Sequence, residues 1–392
     1  MNNEKILIEE IGISSAPAEK EGRKEGRKEG RKLLRPLRIC FLGFEENQVF
    51  CSGAGGVLRV ELVLAEEFRR RKHSVEFYRP PKDKGLLSAG MHFLKFLRER
   101  RIDVVISHRF RHQVLPALAK MPCAHFALWH QVPDYVVGGF NVGRHRFRAA
   151  ARLFKFLRKC LFFYFTWSSD RFVLLSESFV PAFPPAKFFP KKVCAVSNPS
   201  PFPRQECAAE KEKVLLFVGR MGNSQKRVDL LLKIWAKLEK AFPQWRLEIV
   251  GDGPSRGDLE ALAGTLGLQR VTFEGFQKPE KYYRRAPIFC MTSAFEGFGM
   301  VLIEAAAFGC VPVAFESFAA VRDIISDGEN GALVPPFDLD KYAETLAALM
   351  RDDALRERLA ANTAQICEKF APAKIVDRWE ALFAEVLAER SR

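Results

Sequence analysis

One stretch of this chain, residues 287–315 with the sequence PIFCMTSAFEGFGMVLIEAAAFGCVPVAF, constrains the fold more than any other. Its two apolar runs, 287–292 and 311–315, predict buried parallel strands. Between them the loop AFEGFG leads into a predicted helix from about Met300 to Phe308, which Gly309 ends. A strand, a helix and a second strand in this order are typical of an α/β fold.

The loop in this stretch combines carboxylates with exposed backbone amides. Glu296 lies in the loop, and Glu304 lies about one turn inside the helix. Glycines leave room for a ligand to approach the backbone. A predicted anion site at the helix N-terminus consists of the N–H groups of Phe298, Gly299, Met300 and Val301. Two carboxylates beside an anion site predict a ligand with phosphates and hydroxyls, such as a nucleotide sugar. The alternative is an ordinary solvated loop and helix surface.

The charge of the chain is unevenly distributed. The whole sequence has a net charge of +15, of which residues 37–200 contribute +15, residues 1–36 contribute +2 and residues 201–392 contribute −2. An excess of this kind favours an anionic partner, such as a nucleic acid, an anionic membrane or a phosphorylated acceptor. The nine cysteines are scattered without C-x-x-C pairs, which favours a reducing cytosol over a disulfide framework or a zinc site.

The order of elements predicts two α/β domains. Residues 1–36 contain three EGRK repeats and predict a disordered leader. Strand and helix patterns alternate over 37–200, which predicts a doubly wound sheet, and Pro-rich residues 201–212 predict a linker. A second alternation over 213–370 predicts a second sheet, and residues 371–392 predict a helix that returns to the first domain. Two such sheets imply a cleft between them, a common place for a ligand.

Four pieces of the second half follow predicted strands. Arg220 follows one strand and Lys226 opens the next helix, IVGDGP is a Gly-rich turn, Phe276 follows a third strand, and the Glu296 loop follows a fourth. Because parallel strands end at one edge of a sheet, these pieces are expected to converge. Two cations at this edge would neutralise a diphosphate.

Taken in order, the motifs VGRM…K, IVGDGP, FEGFGMVLIEAAAFGCVPV and DGENGALVPP resemble the retaining GT-B glycosyltransferases of glycosyltransferase family 4. The glutamates 296 and 304 match the E-x7-E motif of that group. The resemblance covers nearly all of 37–392 and is strongest over 213–336. It implies a GT-B fold, with two Rossmann-like doubly wound parallel-sheet domains that face a central cleft.

The resemblance also implies roles in the second domain. Arg220 and Lys226 would bind the donor diphosphate, Glu304 would hold the ribose hydroxyls, and Glu296 would hydrogen-bond the sugar. The segment around Phe276 would border the base. The backbone contacts to sugar and phosphates would come from Phe298, Gly299, Met300 and Val301. One departure is the sequence ESFAAVRDII, which stands where the group often has a Gly-Gly turn and which puts contacts near residues 316–320 in doubt.

In the first domain the resemblance points to two further places. Gly55 and Gly56 of SGAGG match a Gly-Gly loop near the donor phosphates. His130 matches a histidine near the transferred sugar, and His108 matches an earlier, less critical one. The alternative for both histidines is a packed, hydrogen-bonded core residue, which is the interpretation adopted for His108.

The resemblance implies a catalytic set of Glu296, His130, Arg220 and Lys226. Similar enzymes retain the anomeric configuration, and the leaving phosphate is thought to take the acceptor proton, so Glu296 would not be a glycosidase-type nucleophile. Members of the group generally need no metal. No cofactor and no metal ligand are therefore expected.

Residues 144–167 have seven Lys/Arg, no acidic residue and an apolar end. They predict a basic amphipathic helix on an anionic membrane. The alternative is a helix that packs in the core and exposes only its basic face.

The sequence thus predicts a retaining hexosyltransferase that transfers a sugar from a nucleotide-sugar donor to a lipid-linked surface glycan such as lipopolysaccharide. It would act in the cytoplasm, on the cytoplasmic face of the inner membrane, and bind no nucleic acid. The alternatives are a non-catalytic GT-B relic that binds membrane or nucleic acid, and a sugar-nucleotide epimerase of the same architecture.

Overall fold

The structure, a computed structural model, describes residues 35–43, 56–79, 86–108, 121–130, 148–205, 211–222 and 225–392. The described residues form two compact units. Residues 202–371 are here called the C-terminal unit; the described residues before 202, together with 372–392, are called the N-terminal unit. The predicted leader up to residue 34, Gly55 and residues 144–147 lie outside the described residues.

The N-terminal unit contains one parallel sheet with the strand order β2-β1-β3-β4-β5-β6. Its strands are β1 (Arg38–Leu42), β2 (Ser74–Tyr78), β3 (Val104–Ser107), β4 (Ala124–Leu128), β5 (Arg171–Leu174) and β6 (Val193–Ala195). Its helices are α1 (Gly56–Arg70), α2 (Leu86–Glu99), α3 (Arg148–Ser168), α4 (Pro184–Phe188) and, at the end of the chain, α13 (Pro372–Arg390). β1, β3, β4 and β5 are almost wholly buried, as their continuous apolar runs predict.

The last helix, α13, packs within the N-terminal unit through charges and aromatic rings. The Arg71 guanidinium, after α1, lies 2.8 Å from both Asp377 and Glu380. Nε2 of His73 lies 2.9 Å from Glu380. The Phe383 ring stacks on Phe68 at 5.7 Å between centroids. The ion pairs and the buried rings together fix α13 against the first sheet and its helix α1.

The C-terminal unit contains a second parallel sheet with the strand order β12-β11-β10-β7-β8-β9. Its strands are β7 (Val214–Val218), β8 (Arg246–Val250), β9 (Val271–Gly275), β10 (Ile288–Met291), β11 (Val311–Phe315) and β12 (Ala332–Val334). Its helices are α5 (Val228–Leu238), α6 (Arg256–Thr265), α7 (Glu280–Arg285), α8 (Met300–Ala307), α9 (Val321–Ile324), α10 (Leu339–Arg351), α11 (Asp353–Asn362) and α12 (Ala364–Lys369). The predicted doubly wound α/β fold is confirmed in both units.

Part of the core of the C-terminal unit lies against β10 and β11, the two strands predicted in residues 287–315. Tyr342 of α10 is fully buried, and its hydroxyl donates to the Val313 carbonyl at 2.6 Å and accepts the Met291 amide at 3.1 Å. The buried hydroxyl therefore has partners on both sides, which removes the cost of burying it. The sequence did not predict β12, since its three residues are too few to show a strand pattern.

No helix of the described residues is long and apolar enough to cross a membrane.

Candidate active site

The candidate site lies where the strand order of the second sheet reverses. β7 and β10 are neighbours in this sheet although two strands separate them in sequence. In a doubly wound sheet, the loops on either side of such a reversal leave a crevice at the carboxyl ends of the strands, and ligands bind there. The loop after β7 contains Arg220 and Lys226, and the loop after β10 contains Glu296. The fold therefore brings these three residues to the same edge.

Lys226 and Glu296 form an ion pair across this crevice. Nζ of Lys226 lies 2.7 Å from Oε1 of Glu296, and the side chains are 16% and 9% exposed. Gln225 donates from Nε2 to the other carboxylate oxygen at 3.2 Å. The sequence analysis did not identify Gln225, because a glutamine before a basic residue has no distinctive pattern. Both oxygens of Glu296 thus have donors from the β7 loop.

Backbone contacts hold the two loops together. The Ala294 amide donates to the Gln225 carbonyl at 2.7 Å. The Thr292 hydroxyl contacts the carbonyls of Lys226 at 3.2 Å and Arg227 at 3.0 Å. Arg227 precedes α5 in the left-handed conformation with φ of 48°, which turns the chain from the loop into the helix. Lys226 is therefore placed by the backbone as well as by its charge.

Glycines are required in the turns that position Arg220. Gly251 has φ of +136°, and a Cβ there would lie 2.0 Å from the Gly219 carbonyl oxygen. A Cβ on Gly253 would lie 2.3 Å from the Met221 carbonyl oxygen. The turn after β8 therefore packs directly on the backbone of the turn after β7. It leaves the Arg220 side chain exposed at the edge of the sheet.

Glu304 is a buried carboxylate on a buried helix. It is 8% exposed, and its neighbours in α8 are alanines and aliphatic residues. The Tyr283 hydroxyl donates to Oε2 of Glu304 at 3.1 Å. Tyr283 was also missed by the sequence analysis, since a tyrosine in a short helix is usually a packing residue. A buried carboxylate held by a hydrogen bond is suited to bind ligand hydroxyls.

The first turn of α8 has the predicted form of an anion site. Gly299 precedes the helix with φ of +97°. The side chain of the preceding residue, Phe298, is buried and packs against Phe370. Within the described residues, no backbone hydrogen bond of the loops and caps uses the amides of Phe298, Gly299, Met300 or Val301 as donors. Amides in the first turn of a helix have no acceptor within the helix, so an anionic ligand at this position remains a prediction.

The loop after β11 differs from the Gly-Gly turn of similar proteins, and the structure shows what replaces it. The Ser317 hydroxyl donates to the Ser293 carbonyl at 2.5 Å. Phe318 is buried, and its ring lies 3.4 Å from where a Gly299 Cβ would stand. The ESFAAV segment therefore packs against the loop before α8 through Ser317 and Phe318. Phe276, at the end of β9, is 83% exposed and leaves an aromatic ring open to a ligand.

In the N-terminal unit the predicted histidines form a hydrogen-bonded pair. Nδ1 of His108 lies 2.8 Å from Nε2 of His130, at the ends of β3 and β4. Nε2 of His108 also lies 3.1 Å from a carboxylate oxygen of Glu61, which the sequence analysis missed. Burial lowers the pKa of His130 to about 4, which keeps the ring neutral at neutral pH. Gly56, the second glycine of the predicted Gly-Gly loop, is the first residue of α1.

Residues 201–366 match the model of the family described as glycosyl transferases group 1. The matched region spans nearly the whole of the C-terminal unit, and residues 201–366 are called the group 1 domain below for this similarity. This group 1 domain contains Arg220, Lys226, Glu296, Phe276 and the start of α8, so the predicted donor residues fall within the matched region.

Two curated relatives are similar over about half of the chain. An uncharacterized glycosyltransferase of Haemophilus influenzae is 31% identical over 199 residues, which is 50% of this chain and 56% of the relative. An α-1,4-N-acetyl-D-galactosaminyltransferase of Campylobacter jejuni, whose name includes a diphospho-undecaprenol-linked glycan, is 32% identical over 203 residues, 50% of this chain and 56% of the relative. The chain thus spans about half the length of the curated relatives it matches.

The fold extends the similarity over both units. The structure of Anabaena Alr3699/HepE in complex with UDP and glucose is 18% identical, with a TM-score of 0.68, over 90% of this chain and 99% of that one. At this identity the likeness shows the fold alone. The predicted GT-B glycosyltransferase fold is therefore confirmed, and the group 1 domain is its second half.

Proposed function

We propose that this protein is a retaining glycosyltransferase that transfers a hexose-type sugar from a nucleotide-sugar donor to a hydroxyl of a lipid-linked surface glycan, such as lipopolysaccharide. One observation carries the proposal: a group 1 domain places Arg220, Lys226, Glu296 and buried Glu304 around the strand reversal of its sheet. Cations there suit a diphosphate, and carboxylates suit the hydroxyls of a sugar and a ribose. The relatives' names support a glycan acceptor.

The proposed donor complex distributes the ligand along this edge. The diphosphate contacts exposed Arg220, Lys226 and the amides at the start of α8. Glu304 accepts from the ribose hydroxyls, and the exposed ring of Phe276 borders the base. Lys226 already lies on Glu296, so binding the diphosphate requires Lys226 to divide its hydrogen bonds between a phosphate oxygen and the carboxylate. Glu296 then accepts from the sugar hydroxyls with an oxygen that the lysine releases.

The proposed reaction is a displacement at the anomeric carbon. The bond from that carbon to the phosphate oxygen breaks, and a bond to the acceptor oxygen forms on the same face of the sugar. The acceptor hydroxyl loses its proton to the departing phosphate. Negative charge grows on the diphosphate during this step, and Arg220, Lys226 and the α8 amides stabilise it. His130 is assigned a position next to the transferred sugar, and no metal ion is assigned a role in this step.

Exposed apolar side chains on two helices of the N-terminal unit support a lipid-linked acceptor. Along α3, Leu157 is 50% and Trp167 is 56% exposed, whereas Phe162 and Phe165 on the opposite face are buried. Phe188 of α4 is 69% exposed and contacts Phe163 of α3, which joins the two helices in one apolar surface. Lys159 of α3, Lys187 of α4 and Lys191, shortly after α4, are exposed as well. Exposed apolar side chains and lysines on the same segments suit an anionic bilayer surface, so this surface is proposed to bind the inner membrane from the cytoplasmic side.

A thermal-shift screen against UDP-, GDP-, ADP- and CMP-sugars tests the donor part of the proposal. One nucleotide sugar is expected to raise the Tm of the protein, and to do so less or not at all in the Glu304→Ala variant, which loses the ribose contact. Turnover with that donor then separates the alternatives. A transferase releases nucleoside diphosphate when it transfers the sugar to an acceptor glycolipid, or slowly when it transfers the sugar to water. An epimerase converts the sugar without an acceptor, and a relic does neither. The proposed site is contradicted if none of the nucleotide sugars raises the Tm, or if the rise is the same in the Glu304→Ala variant.

A further inference from the structure

The ammonium group of Lys211 contacts backbone carbonyls from two helix ends of the C-terminal unit. Lys211 lies shortly before β7, in the predicted linker 201–212, and the sequence analysis gave it no role. Its Nζ donates to the carbonyls of Phe308 at 2.7 Å, Ala286 at 2.9 Å and Tyr283 at 3.4 Å. An ammonium group has a hydrogen for each of these acceptors. One half-buried side chain therefore joins parts of the backbone that are distant in sequence.

Two of these carbonyls belong to the C-terminal caps of helices α7 and α8. Ala286 is the C-cap residue of α7, and Phe308 is the C-cap residue of α8. The last carbonyls of a helix have no N–H partner within the helix, and the helix dipole favours a cation beside them. Because Lys211 serves both caps with one ammonium group, it fixes the ends of the two helices to each other.

The two helices that Lys211 joins also carry the pair of Tyr283 and Glu304. Tyr283 of α7 is fully buried, and its hydroxyl donates to Oε2 of Glu304 in α8 at 3.1 Å. Its ring stacks on Phe308 at 5.6 Å between centroids and an angle of 23°. Lys211 thus contacts the backbone of the tyrosine and the backbone of the residue on which the tyrosine ring packs. A shift of either helix end would change the distance between the hydroxyl and the carboxylate.

We propose that Lys211 is a positioning residue of the donor site, which holds the ends of α7 and α8 together and thereby keeps the Tyr283 hydroxyl on Glu304. Lys211 acts through Tyr283 and not on the ligand, because its contacts lie at the C-terminal end of α8 and the predicted anion site lies at the N-terminal end. The contact of Glu304 with a ribose rests on the proposed function. The dependence of the contact between Tyr283 and Glu304 on Lys211 does not.

A double-mutant cycle on the ligand-free, full-length protein tests this dependence. Tyr283→Phe is expected to lower the Tm of the unsubstituted protein, because it removes the hydrogen bond to Glu304. In Lys211→Met that contact is already weakened, so adding Tyr283→Phe is expected to lower the Tm by about half of that amount or less. Equal drops in the two backgrounds overturn the proposal. If Lys211→Met does not fold, the same cycle is measured with Lys211→Gln, which keeps an N–H donor.

Donor affinity separates a positioning role from a purely structural one. The nucleotide sugar that raises the Tm, out of the UDP-, GDP-, ADP- and CMP-sugars, is titrated into each variant. Lys211→Met is expected to raise its Kd about 5-fold, and the double variant with Tyr283→Phe is expected to raise it no further, since both substitutions act on the same carboxylate. Lys192→Met is the matched control. Nζ of Lys192 donates to the carbonyls of Trp167 and Ser169 at 2.6 and 2.8 Å, at the end of α3 in the N-terminal unit.

The two measurements distinguish failure of this inference from failure of the proposed function. An unchanged Kd in Lys211→Met, an equal rise of the Kd in Lys192→Met, or effects that multiply in the double variant overturn the positioning role. If no nucleotide sugar binds the unsubstituted protein, the proposed function fails. The ligand-free cycle then still decides whether Lys211 holds the contact between Tyr283 and Glu304.

Discussion

Nζ of Lys226 lies 2.7 Å from Oε1 of Glu296, although the two residues belong to loops that follow non-consecutive strands. Both side chains are largely buried, at 16% and 9% exposure. A pair of this kind neutralises each charge at the edge of the sheet before any ligand arrives. The carboxylate therefore has a structural partner as well as a proposed ligand, and the two roles can be separated by substitution.

Lys226→Met is expected to lower both stability and sugar transfer. It leaves Glu296 buried without its cation, at a cost of about 1–3 kcal/mol in the free energy of unfolding, and it removes the cation that stabilises the leaving diphosphate, at a cost of about 100-fold or more in transfer rate. The double variant Lys226→Met/Glu296→Gln strands no charge, so its stability is expected to recover while transfer stays low. Urea unfolding and an assay of released nucleotide measure the two effects. Recovery of transfer in the double variant would show that Lys226 serves the fold alone.

Tyr283→Phe is expected to weaken donor binding. It removes the hydroxyl that donates to Glu304 at 3.1 Å, so the carboxylate loses the contact that orients it toward the ribose. A lost hydrogen bond of about 1 kcal/mol raises the donor Kd about 5-fold, measurable by calorimetry. Tyr282→Phe is the control, because Tyr282 is equally buried in α7 but donates to Glu274 at 2.9 Å and not to Glu304. The same loss of affinity in both variants would refute the role given to Tyr283.

Gly251→Ala is expected to destabilise the group 1 domain by about 3 kcal/mol or more. The added Cβ would lie 2.0 Å from the Gly219 carbonyl oxygen, and φ at this position is +136°. Because that oxygen belongs to the backbone, no side-chain rotation relieves the clash. Gly264→Ala in α6 meets open space and is expected to raise stability by up to about 1 kcal/mol. Thermal unfolding compares the two, and a mild effect at Gly251 would mean that the turns move apart easily.

Trp167→Ser is expected to weaken vesicle binding about 10-fold, since it removes an exposed aromatic anchor of the proposed membrane surface. Sedimentation with phosphatidylglycerol vesicles measures the bound fraction, which is expected to fall further as salt screens the neighbouring lysines. Phe337→Ser, at a 47% exposed aromatic residue of the C-terminal unit, is the control. Equal binding to vesicles of neutral phosphatidylcholine, or equal losses in both variants, would count against this surface.

The pattern of residues 287–315 determined a large part of the local structure. The predicted strands and the helix between them occur as β10, α8 and β11. Buried parallel strands have continuous apolar runs, and the helix is followed by Gly309, whose φ of 68° favours glycine. The same reasoning identified the alternation of elements in both units. It did not find the three-residue strand β12, whose pairing depends on β11 and not on its own residues.

The 144–167 segment shows how sequence periodicity leaves a question that packing answers. Its apolar end is compatible with burial or with exposure to lipid, since aromatic residues occur on every side. The structure buries Phe162 and Phe165 and exposes Trp167, so the helix has both a packed face and an open apolar face. The packing of the helix against its neighbours decides which face is buried and which is exposed.

The sequence by itself determined the chemical groups of the candidate site. Arg220, Lys226 and Glu296 could be identified because each follows a strand or opens a helix, and Glu304 because of its spacing from Glu296. Tertiary structure alone decided which groups contact the two carboxylates, since Gln225 and Tyr283 come from positions whose local patterns predict nothing beyond packing. Hydrogen-bond partners of this kind depend on distance in space. Leu215 and Ile288 are distant in sequence but pair in one sheet, which brings the loops after β7 and β10 together. Sequence motifs identify the residues that a ligand is expected to contact, whereas the tertiary structure decides which other residues hold them in place.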